Sequence, residues 1–144
     1  MGALHMLRET QPFNVLLPTE LEQIVAVGQT RVFERDEIVF RQGDAAESLF
    51  LIQFGLLQFL FRQPGKEKEI ELAQLGAGRI VGDITINERL TRRSASAIAL
   101  ERSELLEIRS DALSFYLECN PAVADRFYLE MARQLLNSQR VFVV

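Results

Sequence analysis

Hydrophobic periodicity changes twice along this 144-residue chain, and that change constrains its fold more than any other feature. Between about residues 30 and 109, apolar residues alternate with polar ones or gather in brief runs at 32–33, 38–40, 49–54, 56–61, 70–75, 95–100 and 105–108. Alternation at period two sends successive side chains to opposite faces of an extended chain, so these runs predict strands. Their separators are turn chemistry: Gln42-Gly43-Asp44, Gly55, Gln63-Pro64-Gly65-Lys66 and Gly76-Ala77-Gly78. About eight short strands with regular turns predict a closed or double-layered antiparallel sheet, a β-roll or jelly roll.

Outside this block the period lengthens to that of a helix. Leu16-Leu17-Pro18-Thr19-Glu20-Leu21 opens a short helix whose stripe, Leu21, Ile24 and Val25, runs out near Gly28. After Arg109, Ser110 is placed to cap a second short helix carrying Leu113, Phe115, Tyr116 and Leu117. Asn120-Pro121 restarts the helix, with Asn as N-cap and Pro at the first helical position, where its missing N–H costs nothing. Val123, Phe127, Met131 and Leu135 then recur at i+4, flanked by Ala124, Tyr128, Ala132 and Leu136. A last helix of roughly 20 residues, about 30 Å long, is expected. Its stripe is wide for one surface helix, so one side is expected to pack on the roll and the other to meet a partner. The expected class is mainly β with flanking helices (α+β): an eight-stranded antiparallel β-roll or jelly roll, a short N-terminal helix and two C-terminal helices, the last one long. Residues 1–12 read as an N-terminal tail, with MGALHM as a tag remnant, and residues 13–144 as a single domain.

Composition narrows the chemistry. The chain is 48% hydrophobic and 25% charged, as expected of a soluble globular domain. Its apolar runs are too short to span a bilayer, so no membrane partner is expected. The N-terminus lacks the parts of a secretory signal, and the single cysteine, Cys119, fits a reducing, cytoplasmic setting. A net charge of −4 argues against general polyanion binding, so nucleic acid is not an expected partner of this chain itself. Catalysis finds no constellation. His5 is the sole histidine, which excludes the imidazole cluster of a metal-dependent roll and a Cys-His nucleophile alike. Asp36-Glu37, Glu67/Glu69/Glu71 and Glu101/Glu104 fall at turns or alternating strand positions, as solvated faces do. The chain is not expected to be an enzyme, to bind a metal or to carry a cofactor.

One stretch resists this bland description: VGDITINERLTRRSASAIA, residues 81–99. Gly82 lets the chain turn tightly, and a short helical turn after Asp83 would aim free N–H groups at an anion. Arg93 can offer a planar fork to two phosphate oxygens, Asp83 can accept from a sugar hydroxyl, and the small run Ser94-Ala95-Ser96-Ala97 leaves room against the sheet. On these grounds alone, a plain turn with an ion pair stands as the alternative. Period two sends Arg92 and Arg93 to opposite faces, and Arg93 is the one expected to line a pocket.

Val81-Gly82-Asp83-Ile84-Thr85 followed by Arg93-Ser94-Ala95 resembles the phosphate-binding cassette of cyclic-nucleotide-binding domains. Arg41-Gln42-Gly43-Asp44, residues 49–52 before Gly55, and Leu75-Gly76-Ala77-Gly78 resemble the family's other glycine turns, in the same order. Asn120-Pro121 and Met131-Ala132-Arg133-Gln134-Leu135 resemble the long helix of its catabolite-activator branch. The resemblance runs from about residue 13 to 140.

It implies a regulatory sensor module whose ligand is cyclic AMP or a related cyclic nucleotide, held between roll and last helix, with helix repositioning as output. By that resemblance Arg93 pairs with the cyclic phosphate, joined by the Ser94 hydroxyl and backbone N–H groups around Ile84, Thr85 and Ala95. Gly82 shapes the turn, Asp83 meets the ribose 2′-hydroxyl, and Ser138 and Gln139 are candidate base contacts. A homodimer through the C-terminal helix, or a downstream effector domain, is the expected partner; the branch's helix-turn-helix is not expected in a sequence that closes on Val141-Phe142-Val143-Val144. Asp83 replaces the family's longer Glu, and Thr85 its customary Ala or Gly. Both favour a second reading: a degenerate member of the fold kept as a dimerisation or protein-interaction module without nucleotide.

Overall fold

The computed structural model describes residues 2–82 and 92–143, with side chains described through 134 and at 136 and 137. Strands β1 (Gln29–Phe33), β2 (Ile38–Phe40), β3 (Ser48–Phe54), β4 (Leu56–Arg62), β5 (Glu69–Gly76), β6 (Ile80–Val81), β7 (Ser96–Ala99) and β8 (Ser103–Arg109) make up the central block. They form two four-stranded sheets, in the orders β1-β8-β3-β6 and β2-β7-β4-β5, with every pairing antiparallel. This is the β-roll that the alternating block predicts, and its flanking helices complete the expected class.

β3 is apolar along most of its length because both of its faces are covered. Leu49 and Leu51 join Leu106 and Ile108 of β8 beneath the helices, whereas Phe50 and Ile52 join Leu57 and Leu105 between the two sheets. β6 is the strand that periodicity does not announce. Two residues are too few for a period, and it exists because Val81 and Ile80 pair with Phe50 and Leu51 of β3.

Helices α1 (Ala3–Arg8), α2 (Pro18–Val27), α3 (Ser110–Cys119) and α4 (Pro121–Val143), with a 3-10 turn at Phe13–Val15, cover the outer face of the first sheet. The opening segment read as a tail contains α1, six residues long, which buries Ala3 and Leu7 in the helix-side core. Phe13 and Phe127 meet edge to face there, with centroids 5.3 Å apart, and so tie α4 to the N-terminal segment.

Helix starts differ from the sequence expectation at one point. The N-cap of α3 is Arg109, not Ser110, and no side chain caps it. Ser110 is already helical: its own N–H donates to the Glu47 carbonyl at 2.9 Å, and the Ala112 N–H, which a hydroxyl cap would have served, donates to Asp111 Oδ1 at 2.7 Å. Asn120 does stand directly before α4: its carbonyl accepts from Val123 and Ala124 N–H, while its side-chain amide donates back to the Tyr116 carbonyl of α3 at 2.8 Å.

Candidate functional site

Arg93 lies in irregular chain just before β7, and the turn around Gly43 fixes its backbone. Its N–H donates to the Asp44 carbonyl at 2.7 Å, and its own carbonyl accepts from the Gly43 N–H at 2.8 Å. Alternation then separates the two neighbouring arginines. Arg92 is exposed and donates from Nη1 to the Gly43 carbonyl at 3.2 Å, whereas Arg93 turns inward and is only 7% exposed.

An arginine buried to that degree needs its charge met. Arg93 Nη2 donates to the Ser48 carbonyl at 2.7 Å, and the guanidinium carbon lies 4.2 Å from the Phe40 ring centroid and 5.7 Å from that of Phe50. Ring faces attract a cation, most strongly when water is excluded. Ser48 is itself held, its hydroxyl donating to Glu107 Oε2 at 2.7 Å.

Gly82 reaches the same spot from the other side. Its φ of +112° favours glycine, and a Cβ there would lie 2.8 Å from Arg93 Nη1 and 3.2 Å from the Ser48 carbonyl oxygen. Gly82 and Arg93, eleven positions apart in sequence, therefore meet in space. Gly82, Arg93, Ser94 and Ala95 line one cavity of about 200 Å³, whose other walls include Phe40, Phe59 and Leu75. A cation stands at one side of an apolar, partly aromatic hollow. That combination suits a small molecule carrying both an anion and a flat ring.

Of the other expected site residues, Asp83, Ile84 and Thr85 lie outside the described residues, as do the side chains of Ser138 and Gln139 on α4. The sequence reading missed Ser48, Phe40, Phe50, Phe59 and Leu75. The four apolar ones signal only membership of apolar runs, which predicts strands and says nothing of which strand ends converge, and Ser48, just before such a run, carries no signal. Among the described residues, no group of three or more His, Cys, Asp or Glu side chains is placed to hold a metal ion, and no helix is long and apolar enough to cross a membrane.

Comparison with known proteins places this geometry. The sequence model of the family described as cyclic nucleotide-binding domain matches residues 30–119. The chain belongs to that family. Within it, the chain is similar to the cyclic AMP receptor protein of Thermus thermophilus, at 34% identity over 124 residues, covering 85% of this chain and 56% of that protein. The crystal structure of the Thermus thermophilus catabolite activator protein superposes with a TM-score of 0.73 at 28% identity, covering 90% of this chain and 60% of that one. This cyclic nucleotide-binding domain is therefore catabolite-activator-like, and it spans little more than half the length of those relatives. In fold it is similar to the N-terminal domain of a Streptomyces coelicolor transcriptional regulator, with a TM-score of 0.86 over 96% of both chains at 23% identity.

Proposed function

We propose that this domain is a non-catalytic, cytoplasmic sensor that binds a cyclic nucleotide, cyclic AMP foremost, between the β-roll and α4, and signals by repositioning α4. The observation that carries the reading is the buried Arg93 guanidinium beside Gly82, facing an apolar hollow in a domain of this family. A cyclic phosphate entering at Gly82, Ser94 and Ala95 exchanges the Ser48 carbonyl for two charged oxygens on the arginine fork. Charge-assisted, bidentate pairs of that kind are roughly twice as strong as neutral hydrogen bonds. The Ser94 hydroxyl and the N–H groups of Ile84, Thr85 and Ala95 add donors, and Asp83 accepts from the ribose 2′-hydroxyl. Ser138 and Gln139 close on the base, giving the ligand the differential contact with α4 that any switch requires. Output passes to a second copy through α4 or to a downstream effector domain.

A second reading has its own support. The cavity of about 200 Å³ is smaller than the roughly 300–1,000 Å³ of typical small-molecule sites, and Arg93 is already engaged by Ser48 and Phe40. Together with Asp83 and Thr85, this favours a member of the fold that serves as a dimerisation or protein-interaction module. Thermal unfolding with cyclic AMP and cyclic GMP separates the two. The sensor predicts a raised midpoint, worth about 2.7 kcal/mol at a hundredfold excess over Kd, and Arg93→Ala abolishes it. A flat wild-type response at millimolar ligand rejects the sensor in favour of the interaction module.

A further inference from the structure

A separate cleft of about 510 Å³ lies where the turn after β2 meets the tip of the β4–β5 hairpin, and among the described residues it shares no lining with the Arg93 cavity. We propose that this cleft docks an acidic polypeptide segment of a partner protein.

Charge is the first ground. The chain as a whole carries −4, yet Arg41, Arg62 and Lys66 line this cleft against the single carboxylate of Glu69. Glu69 lies 3.7 Å from Arg62, with both side chains exposed. Among the described residues, no ion pair reaches Arg41 or Lys66. The Asp44 carboxylate, the acid nearest to Arg41 in sequence, is turned to the Arg41 backbone N–H at 2.9 Å. Arg92, outside the lining, is bonded to the carbonyl of Gly43, which lines the cleft.

The frame is the second ground, because the cationic stems issue from backbone that is tied together. Gln42 Nε2 donates to the Arg62 carbonyl at 3.0 Å, and the Arg62 N–H donates back to Gln42 Oε1 at 2.8 Å. The Gln42 N–H donates in turn to the Ser96 hydroxyl at 2.9 Å. The single Gln42 side-chain amide thus holds the exit of β2 against the end of β4, and the cleft is a built feature of the sheet.

Donor accounting selects the occupant. A compact phosphate is usually held by converging backbone N–H groups. Here the four successive N–H groups of the Arg41, Gln42, Gly43 and Asp44 turn, and those of Arg62 and Lys66, are donated within the protein, so that turn holds no nest of free donors. Long, exposed cationic side chains remain to meet an anion. They suit carboxylates spread along an extended chain better than one concentrated charge.

The test is fluorescence anisotropy of a labelled ten-residue polyglutamate peptide with the full chain at low salt. Wild type binds, and Arg41→Ala/Arg62→Ala/Lys66→Ala weakens binding about tenfold, the sum of three modest ion pairs. Arg31→Ala/Arg102→Ala, which removes two exposed arginines elsewhere, one on β1 and one in the β7–β8 turn, leaves affinity within about twofold. Lys66→Glu, at the exposed hairpin tip, repeats the loss with one substitution and covers a triple variant that fails to fold. Equal affinity of the triple variant and wild type, an equal loss in the Arg31/Arg102 control, or displacement of the peptide by millimolar inorganic phosphate each overturns the proposal, the last by assigning the cleft to a compact anion.

Discussion

At the scale of single residues, the site depends on one atom not being there: the Cβ that Gly82 lacks. Its φ of +112° disfavours other residues, and a Cβ at that point would press on Arg93 Nη1. Gly82→Ala is expected to lower unfolding free energy by about 1–3 kcal/mol, the usual cost of forcing a side chain into such backbone. Gly65 is the control, since φ there is also positive, at +80°, but nothing lies within 4 Å of an added Cβ. Gly65→Ala should cost about 1 kcal/mol in the same urea titration and leave any nucleotide-induced shift intact, whereas Gly82→Ala removes that shift. The contiguous part of this site was legible in the sequence, because Gly82 and Arg93-Ser94-Ala95 are a spacing within one segment. What holds Arg93 was not. Phe40, Ser48 and Phe50 come from 43 to 53 residues upstream, and only the sheet register brings them to the guanidinium.

Among elements, the contact that seats α4 on the rest of the domain is polar as well as apolar. Arg126 donates from Nη1 and Nη2 to the two Glu20 carboxylate oxygens of α2, at 2.9 and 2.6 Å, and from Nη1 to the Val15 carbonyl at 3.3 Å. Glu20 also accepts from the Leu17 N–H at 2.8 Å. The Arg126 hydrogen bonds outweigh the opposing effect of burial and hold the Glu20 carboxyl below the ordinary glutamate range. The sign follows directly. With the folded pKa lowered, the unfolded chain takes up the proton first as pH falls, so this contribution is complete above the ordinary glutamate range and is lost as pH drops through it to the lowered value. Melting midpoints measured from pH 7 to pH 3 should therefore fall less steeply in Glu20→Gln than in wild type. Some acid dependence persists in that variant, because Asp111 is held low by Arg109 in the same direction. A parallel slope in the two proteins would show that the pair contributes nothing to acid stability. The helices and long strands at this scale were legible as periods. The α2–α4 clamp was not, since its partners are 106 residues apart and each reads as an ordinary surface charge.

For the molecule as a whole, averages conceal what local placement shows. A net charge of −4 argued against polyanions and still left a basic cleft at one hairpin, because composition has no coordinates. On α4 the expected stripe has a buried and an exposed side, and Leu129, outside that stripe, widens the exposed one. Val123 and Phe127 are buried in the helix-side core, while Leu129 and Leu136 stand 55% and 59% exposed, one heptad apart on the same helix. Two leucines at that spacing form the seam of a helix pair, and each gains about 1.5–3 kcal/mol when fully buried. The proposed homodimer through α4 thus has a direct test. Sedimentation equilibrium should give a dimer for wild type, and Leu129→Glu/Leu136→Glu should raise its dissociation constant at least about 100-fold, since two apolar contacts per chain are replaced by carboxylates. Both positions face away from the core, so the thermal midpoint of the isolated protomer should scarcely change. A wild type that sediments as a monomer at about a tenth of a millimolar, well above the dissociation constant such a seam supports, would leave the downstream effector as the recipient of the signal.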